Sequence, residues 1–126
     1  DSIIYIDNKK LKKPKTKEQA KEMLQSLSGR VNYAVTGVTI IDLYQNKTIT
    51  LNEVTEVYFD ELTEEEIEWY IENEKYIYER CGYSIAGKSA IYISKINGDY
   101  YNILGMPISR VYKELSKLGY KLSDFN

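Results

Sequence analysis

VNYAVTGVTIIDLYQNKTITLNEVTEVYF, residues 31–59, is the stretch on which the fold turns. From Val31 to Tyr44 it is rich in Val, Ile, Thr and Tyr, which suit a pleated, half-buried surface. It breaks at Gln45-Asn46-Lys47 and resumes from Thr48 to Phe59. Two such runs joined by a short polar break predict a long antiparallel pair. Inside the first run, Thr36-Gly37 marks a bulge or a close backbone approach, because glycine weakens a strand interior.

Towards the N-terminus, Ser2-Ile3-Ile4-Tyr5-Ile6 is an apolar, β-branched run that stops at the turn signal Asp7-Asn8 and reads as a buried strand. Lys12-Lys13-Pro14-Lys15 is a loop, since proline disfavours helix at the residue before it. Thr16 and Gln19 make a capping box, and Ala20, Met23, Leu24 and Leu27 recur at helical spacing until Ser28-Gly29, predicting an amphipathic helix over 17–28. Towards the C-terminus, Thr63 and Glu66 open a second helix through about Glu74 with the stripe Ile67, Tyr70 and Ile71. Glu64, Glu65 and Glu66 lie in its first turn, where the helix dipole is sufficient reason for them. Tyr76 to Ala86 reads as a short helix entering a loop punctuated at Cys81-Gly82 and Ala86-Gly87. Ala90 to Ile96 predicts a strand, Asn97-Gly98-Asp99 a hairpin turn and Tyr100 to Leu104 the return strand. Pro107, the apolar Ile108, Val111, Tyr112, Leu115 and Leu118, and the stop at Gly119 describe a closing helix. Interleaved strands and helices with two antiparallel pairs give an α/β fold, a mixed twisted sheet flanked by helices. Residues 1–126 carry no repeat or low-complexity linker and read as a single domain.

Composition bounds the chemistry. At 126 residues with 43% hydrophobic and 29% charged side chains, one core is supported, which excludes disordered, collagenous and disulfide-scaffold classes. The absence of histidine removes Ser-His triads and histidine metal sites, and the single Cys81 closes no intramolecular disulfide. Acid–base chemistry falls to carboxylates and lysines. No apolar run approaches the roughly 20 residues of a bilayer span and no signal-peptide pattern opens the sequence, so a cytoplasmic location is expected. The 13 tyrosines, together with seven lysines against one acid between Lys9 and Lys21, invite a nucleic-acid-binding reading. Against it stand a net charge of −2, tyrosines spread over strands and helices alike, and eleven acids against one base between Glu53 and Glu79. No nucleic-acid partner is expected, and the lysine-rich segment is a solvated face or a phosphate attractor.

The candidate chemical groups are Asp1 at the head of a strand, Lys12 and Lys13 before Pro14, the Ser28-Gly29-Arg30 turn, Thr36-Gly37, and the loop Tyr83 to Gly87. Each has a bland counterpart: a frayed terminus, a solvated loop, a turn or a strand irregularity. Cys81 is better read as a small apolar residue than as a nucleophile, because no histidine is present to activate it.

Their order along the chain is more informative. Asp1-Ser2, Leu11-Lys12-Lys13-Pro14, Ser28-Gly29-Arg30, Val35-Thr36-Gly37-Val38, Tyr83-Ser84-Ile85-Ala86-Gly87 and Asn97-Gly98-Asp99-Tyr100-Tyr101-Asn102-Ile103-Leu104-Gly105-Met106-Pro107 together resemble the Maf (septum-formation-protein-like) family of nucleoside triphosphate pyrophosphatases. The resemblance covers nearly the whole chain and implies an ITPase/Maf-like fold. It implies hydrolysis between the α- and β-phosphates of a nucleoside triphosphate, a divalent cation (Mg²⁺ or Mn²⁺) as cofactor, and a homodimer. Residue by residue, it implies that Asp1 is the catalytic general base and that Lys13 contacts the substrate's phosphates. Ser2 stands where members acting on dTTP and UTP usually carry Thr, Lys12 where Gly usually precedes the lysine, and Ala86 where the loop usually carries Gln. The loop resembles the pyrimidine-nucleotide branch more than the 7-methylguanosine branch, whose loop carries Glu, so dTTP or UTP is expected over 7-methyl-GTP. The metal ligands are not assigned by the resemblance. The family's opening Ser/Pro/Arg-Arg phosphate-binding segment is not in this sequence. The chain is therefore expected to be the C-terminal major part of a longer one, and by itself inactive or severely impaired. The alternative is a non-catalytic relative that binds nucleotides or a protein partner.

Overall fold

A computed structural model describes residues 2–125. The stretch quoted above forms β3 (Val31–Asp42) and β4 (Lys47–Phe59), paired antiparallel without interruption from Val31 opposite Tyr58 to Asp42 opposite Lys47. Gly37 therefore marks no bulge. It is a close approach: a Cβ there would lie 3.2 Å from Asn52 Oδ1.

β1 (Ser2–Ile6) pairs with β3, and the turn after it returns as β2 (Lys9–Lys10). Asp7 and Asn8 take φ of 53° and 59°, the left-handed pair that a two-residue hairpin of native twist needs. Sequence reasoning marks the turn but misses so short a return strand. Arg30, just before β3, reaches both carboxylate oxygens of Asp7. β5 (Ile93–Asn97) joins β4, completing a five-stranded sheet in the order β2-β1-β3-β4-β5. The sheet is flanked by helices as expected. All four described pairings are antiparallel, so the parallel component that a mixed sheet implies is not present among the described strands.

α1 (Lys17–Leu27) starts where Thr16 accepts from the Gln19 amide and buries Ala20, Met23, Leu24 and Leu27. α2 (Glu64–Asn73) carries the full capping box of Thr63 and Glu66 and buries Ile67, Tyr70 and Ile71. Both helices pack into one apolar core with Val57, Phe59, Tyr83 and Tyr92.

Two expectations near the C-terminus are corrected. Residues 100–104 are not a return strand: Tyr100–Ile103 form the one-turn helix α3, capped by Asp99, whose carboxylate accepts from the Tyr101 amide at 2.8 Å. The residue that prevents the strand is Asn102, fully buried and donating to Ala34 O, Glu53 O and Thr55 Oγ1, each at 3.1 Å. Ahead of it, Lys88–Tyr92 is a 3₁₀ segment, so the strand begins only at Ile93. The closing helix α4 (Ile108–Lys117) forms and ends at Gly119 as expected, but none of its residues is buried.

α1 and α2 are pinned together by Glu68, which meets Lys17 Nζ at 2.9 Å and Lys21 Nζ at 2.6 Å. Hydrogen bonds from Lys21 and then Lys17 pull the Glu68 carboxyl down to about 2. A depressed carboxylate contributes stability above its unfolded pKa that disappears as pH falls through the folded value. Glu68→Gln should therefore lower the urea midpoint at pH 7. The gap to the wild-type protein should shrink between about pH 4.5 and 2, where urea titrations at several pH values would measure it.

Candidate active site

The face of the central hairpin that carries the core changes character along its length. At one end Asn32 and Val57 lie beneath α1 and α2. Further on, Ala34, Thr55 and Thr36 meet α3 instead. Here the contacts are polar. Thr36, almost fully buried, donates from Oγ1 to Asn102 O at 3.1 Å, and Thr55 Oγ1 donates to Asp99 O at 2.8 Å. Directly across from Thr36 in the register is Ser2, whose Oγ lies 3.0 Å from Thr36 Oγ1 and 3.4 Å from Gly105 O. Gly98 can only be glycine: its φ is +130° and a Cβ would stand 3.0–3.1 Å from three atoms of Thr55. The head of β1 is thus joined to β3, β4 and the turn after α3. Sequence reasoning quotes Asn102, Gly98 and Gly105 within a motif but assigns Gly98 to a hairpin turn and Asn102 to its return strand. Polar residues flanked by glycines after a strand were the available signal.

Asp1 lies outside the described residues. Lys13 sits in the connection from β2 to α1, where buried Leu11 and Pro14 anchor the chain and leave Lys12 and Lys13 pointing into solvent. These two lysines form no ion pair among the described residues. With Lys9, Lys10 and Lys15 they line a groove that also takes in Asp7, Glu22, exposed Cys81 and the buried Leu11 and Met23, five lysines against two acids. A cationic rim with apolar side chains beside it suits a polyphosphate bearing a planar group.

Ala86 is exposed in a turn closed by Gly87 N to Ser84 O at 2.9 Å. It lines a second concavity with Glu74, Tyr76, Arg80, Ser84 and Lys88. Lys13 and Ala86 therefore do not share a wall. Their concavities meet the chain at consecutive residues, Cys81 in the first and Arg80 in the second, while Ser2 lines neither. The loop between is held by Tyr83, which sequence reasoning placed in a motif without a role. Its hydroxyl donates to Asn32 Oδ1 at 2.5 Å and its ring packs edge-on against Phe59 with centroids 4.8 Å apart. Burial pushes the Tyr83 phenol far above its ordinary range.

Among the described residues no three His, Cys, Asp or Glu side chains gather as a metal cage, and no helix is long and apolar enough to cross a membrane.

The family model described as "Maf-like protein" matches residues 1–118. A dTTP/UTP pyrophosphatase of Carboxydothermus hydrogenoformans is 41% identical over 120 residues, covering 95% of this chain and 64% of the relative. A dTTP/UTP pyrophosphatase of Bacillus anthracis is 45% identical over 117 residues, covering 93% of this chain and 60% of the relative. The chain spans about three fifths of the length of the curated relatives it matches.

Tyr83→Phe would leave the Asn32 side chain, whose Nδ2 already lacks a partner among the described residues, buried without the hydrogen bond that Tyr83 supplies. A loss of about 1–3 kcal/mol in urea denaturation is expected, largely restored by the double change Asn32→Leu with Tyr83→Phe. Faster amide exchange over residues 84–88 in the single variant would report the loosened loop.

Proposed function

Since this chain belongs to the Maf-like family, we propose that it serves a nucleoside triphosphate pyrophosphatase, cleaving dTTP or UTP between the α- and β-phosphates to release the monophosphate and pyrophosphate. The observation that carries the reading is the exposed lysine rim around Lys13, in which Lys12 and Lys13 form no ion pair among the described residues, in a chain whose relatives bear that name. Lys13 binds the triphosphate, where a cation offsets the charge gathering on the leaving pyrophosphate. Asp1 acts as the base that takes a proton from the attacking water, and Ser2 follows it at the head of β1. A divalent cation, Mg²⁺ or Mn²⁺, belongs to the same proposal. When bound it would supply further charge neutralisation at the phosphates. The reading further takes residues 1–126 as one Maf-like domain, working in the cytoplasm as a homodimer.

Ala86 bears on selectivity. A methyl group offers a base neither donor nor acceptor, whereas a glutamine amide offers both. Ala86→Gln should therefore raise the preference for dTTP and UTP over 7-methyl-GTP by about 10- to 100-fold, the worth of one or two hydrogen bonds in a site that reads a polar edge. Pyrophosphate release from the three nucleotides would measure it.

The full-length encoded protein should release pyrophosphate rather than orthophosphate from dTTP and UTP, stop on chelation and recover with Mg²⁺. Lys13→Ala should cost about tenfold or more in kcat/KM, and Asp1→Asn should abolish turnover. Preference for 7-methyl-GTP would overturn the substrate assignment. Nucleotide binding with no turnover at saturating Mg²⁺ would favour the non-catalytic alternative, for which the separate concavities of Lys13 and Ala86 are the supporting observation.

A further inference from the structure

The far end of the central hairpin is apolar and bare. In the turn after β3, Leu43 is 87% exposed and Tyr44 97%, so the Tyr44 side chain touches almost nothing of its own chain. Ile41 before them, and Leu122 and Phe125 after the closing helix, are each more than half exposed. Between the hairpin and the C-terminal segment runs a concavity of about 290 Å³, lined by Ile40, Ile41, Leu43, Leu115 and Phe125 with Asp42 and Tyr120 as its polar part. Single apolar residues on a surface are ordinary, whereas a contiguous apolar patch marks a place of contact.

Polar ties behind the patch hold it in shape. Asp42 accepts from the Tyr120 hydroxyl at 2.8 Å and from the Gln45 amide at 3.1 Å, and Gln45 Nε2 donates to Leu118 O at 2.7 Å. These bonds fasten the hairpin turn to the end of α4, and the rings of Tyr120 and Phe125 pack with centroids 6.3 Å apart. A surface fixed in advance loses little freedom when it is covered. The patch is also remote from the lysine groove. Arg30, which meets Asp7 of that groove, precedes the other end of β3, and a strand of that length spans about 35–40 Å.

We propose that this face receives a second copy of the chain across a two-fold axis, with Tyr44 of each copy seated in the apolar concavity of the other. Knob and hole are neighbours on one patch, so a two-fold axis through it sets each against its counterpart, the self-complementarity that an isologous contact requires. The ring has room, since an apolar cavity of about 150 Å³ already takes a benzene molecule. At the exposures above, the five bare side chains offer several hundred Å² per copy, approaching the roughly 800 Å² that each partner buries in a standard interface. The exposed charges nearest in the chain are of both signs, Lys47 and Lys121 with Asp124, so a rotated copy can set unlike charges together. An anionic membrane surface would instead favour a uniformly basic edge. The proposal goes beyond the homodimer named above by assigning its face, and it does not depend on the nucleotide chemistry.

Sedimentation equilibrium of the full-length encoded protein over a concentration series tests the face. The wild-type protein should dimerise, and Tyr44→Asp and Leu43→Asp should each raise the dissociation constant about 30-fold or more, as loss of a residue at an interface centre does. Phe125→Asp, on the other wall of the concavity, should do the same, so the test does not hang on one turn. The urea midpoint of each variant should match that of wild-type protein diluted until it is monomeric, which separates a lost contact from a lost fold. A wild-type protein that stays monomeric overturns the proposal, whether anionic vesicles or residues outside 2–125 are then found on the patch. A dimer unchanged in all three variants overturns it as well, since another face would hold it. A dimer lost in the variants with the fold intact supports it even if no triphosphate is cleaved, so this result and the fate of the pyrophosphatase reading are read separately.

Discussion

A slip of one residue between β3 and β4 would turn Asn32, Ala34 and Thr36 onto the face opposite to that of their present partners Val57, Thr55 and Glu53. The face these residues now share is where the core helices and the polar cluster both sit, so the register of the central hairpin is the constraint from which the rest follows. Twelve consecutive pairs hold it, and the Asp42–Lys47 end is closed by a turn in which Asn46 takes φ of 53°. The other face exposes Tyr33 and Val54, as an antiparallel sheet with one solvated side permits.

Along the buried face the same backbone supports two kinds of packing. Beneath α1 and α2 the hairpin presents apolar side chains, where area removed from water stabilises. Beneath α3 it presents Thr36 and Thr55, and Asn102 answers them with hydrogen bonds that would be costly to leave unmade. Polar contacts are directional where apolar ones are not. The lysine rim around Lys13 uses a third device: it relies on exposure, with buried Leu11 and Pro14 fixing a loop whose charges stay in solvent.

The parts legible in the sequence share a local cause. The capping box at Thr63 and Glu66, the spacing of Ala20, Met23, Leu24 and Leu27, and the stop at Gly119 are each set within a few residues, and each is found. The strand assigned to Tyr100–Leu104 fails because its alternative is non-local. Aromatic and β-branched residues favour a strand there, and only the carbonyls of Ala34 and Glu53, far away in the chain, give Asn102 reason to bring in a helical turn. The closing helix shows the converse: its apolar stripe is real, but periodicity does not say what lies beside it, and none of its residues is buried.

The candidate site divides in the same way. Sequence order by itself determined the family likeness and singled out Ser2, Lys13 and Ala86, because residue types and their sequence are what a chain carries explicitly. It also determined the central hairpin, two runs rich in Val, Ile, Thr and Tyr on either side of a polar break. Only the tertiary structure decided that Lys13 and Ala86 line different concavities, that Tyr83 ties the loop to Asn32, and that Thr36 stands opposite Ser2 with Asn102 behind it. The hydrogen bonds among these join residues 34 to 66 positions apart, and bonds of that range depend on the register and crossing of elements, which no local pattern encodes.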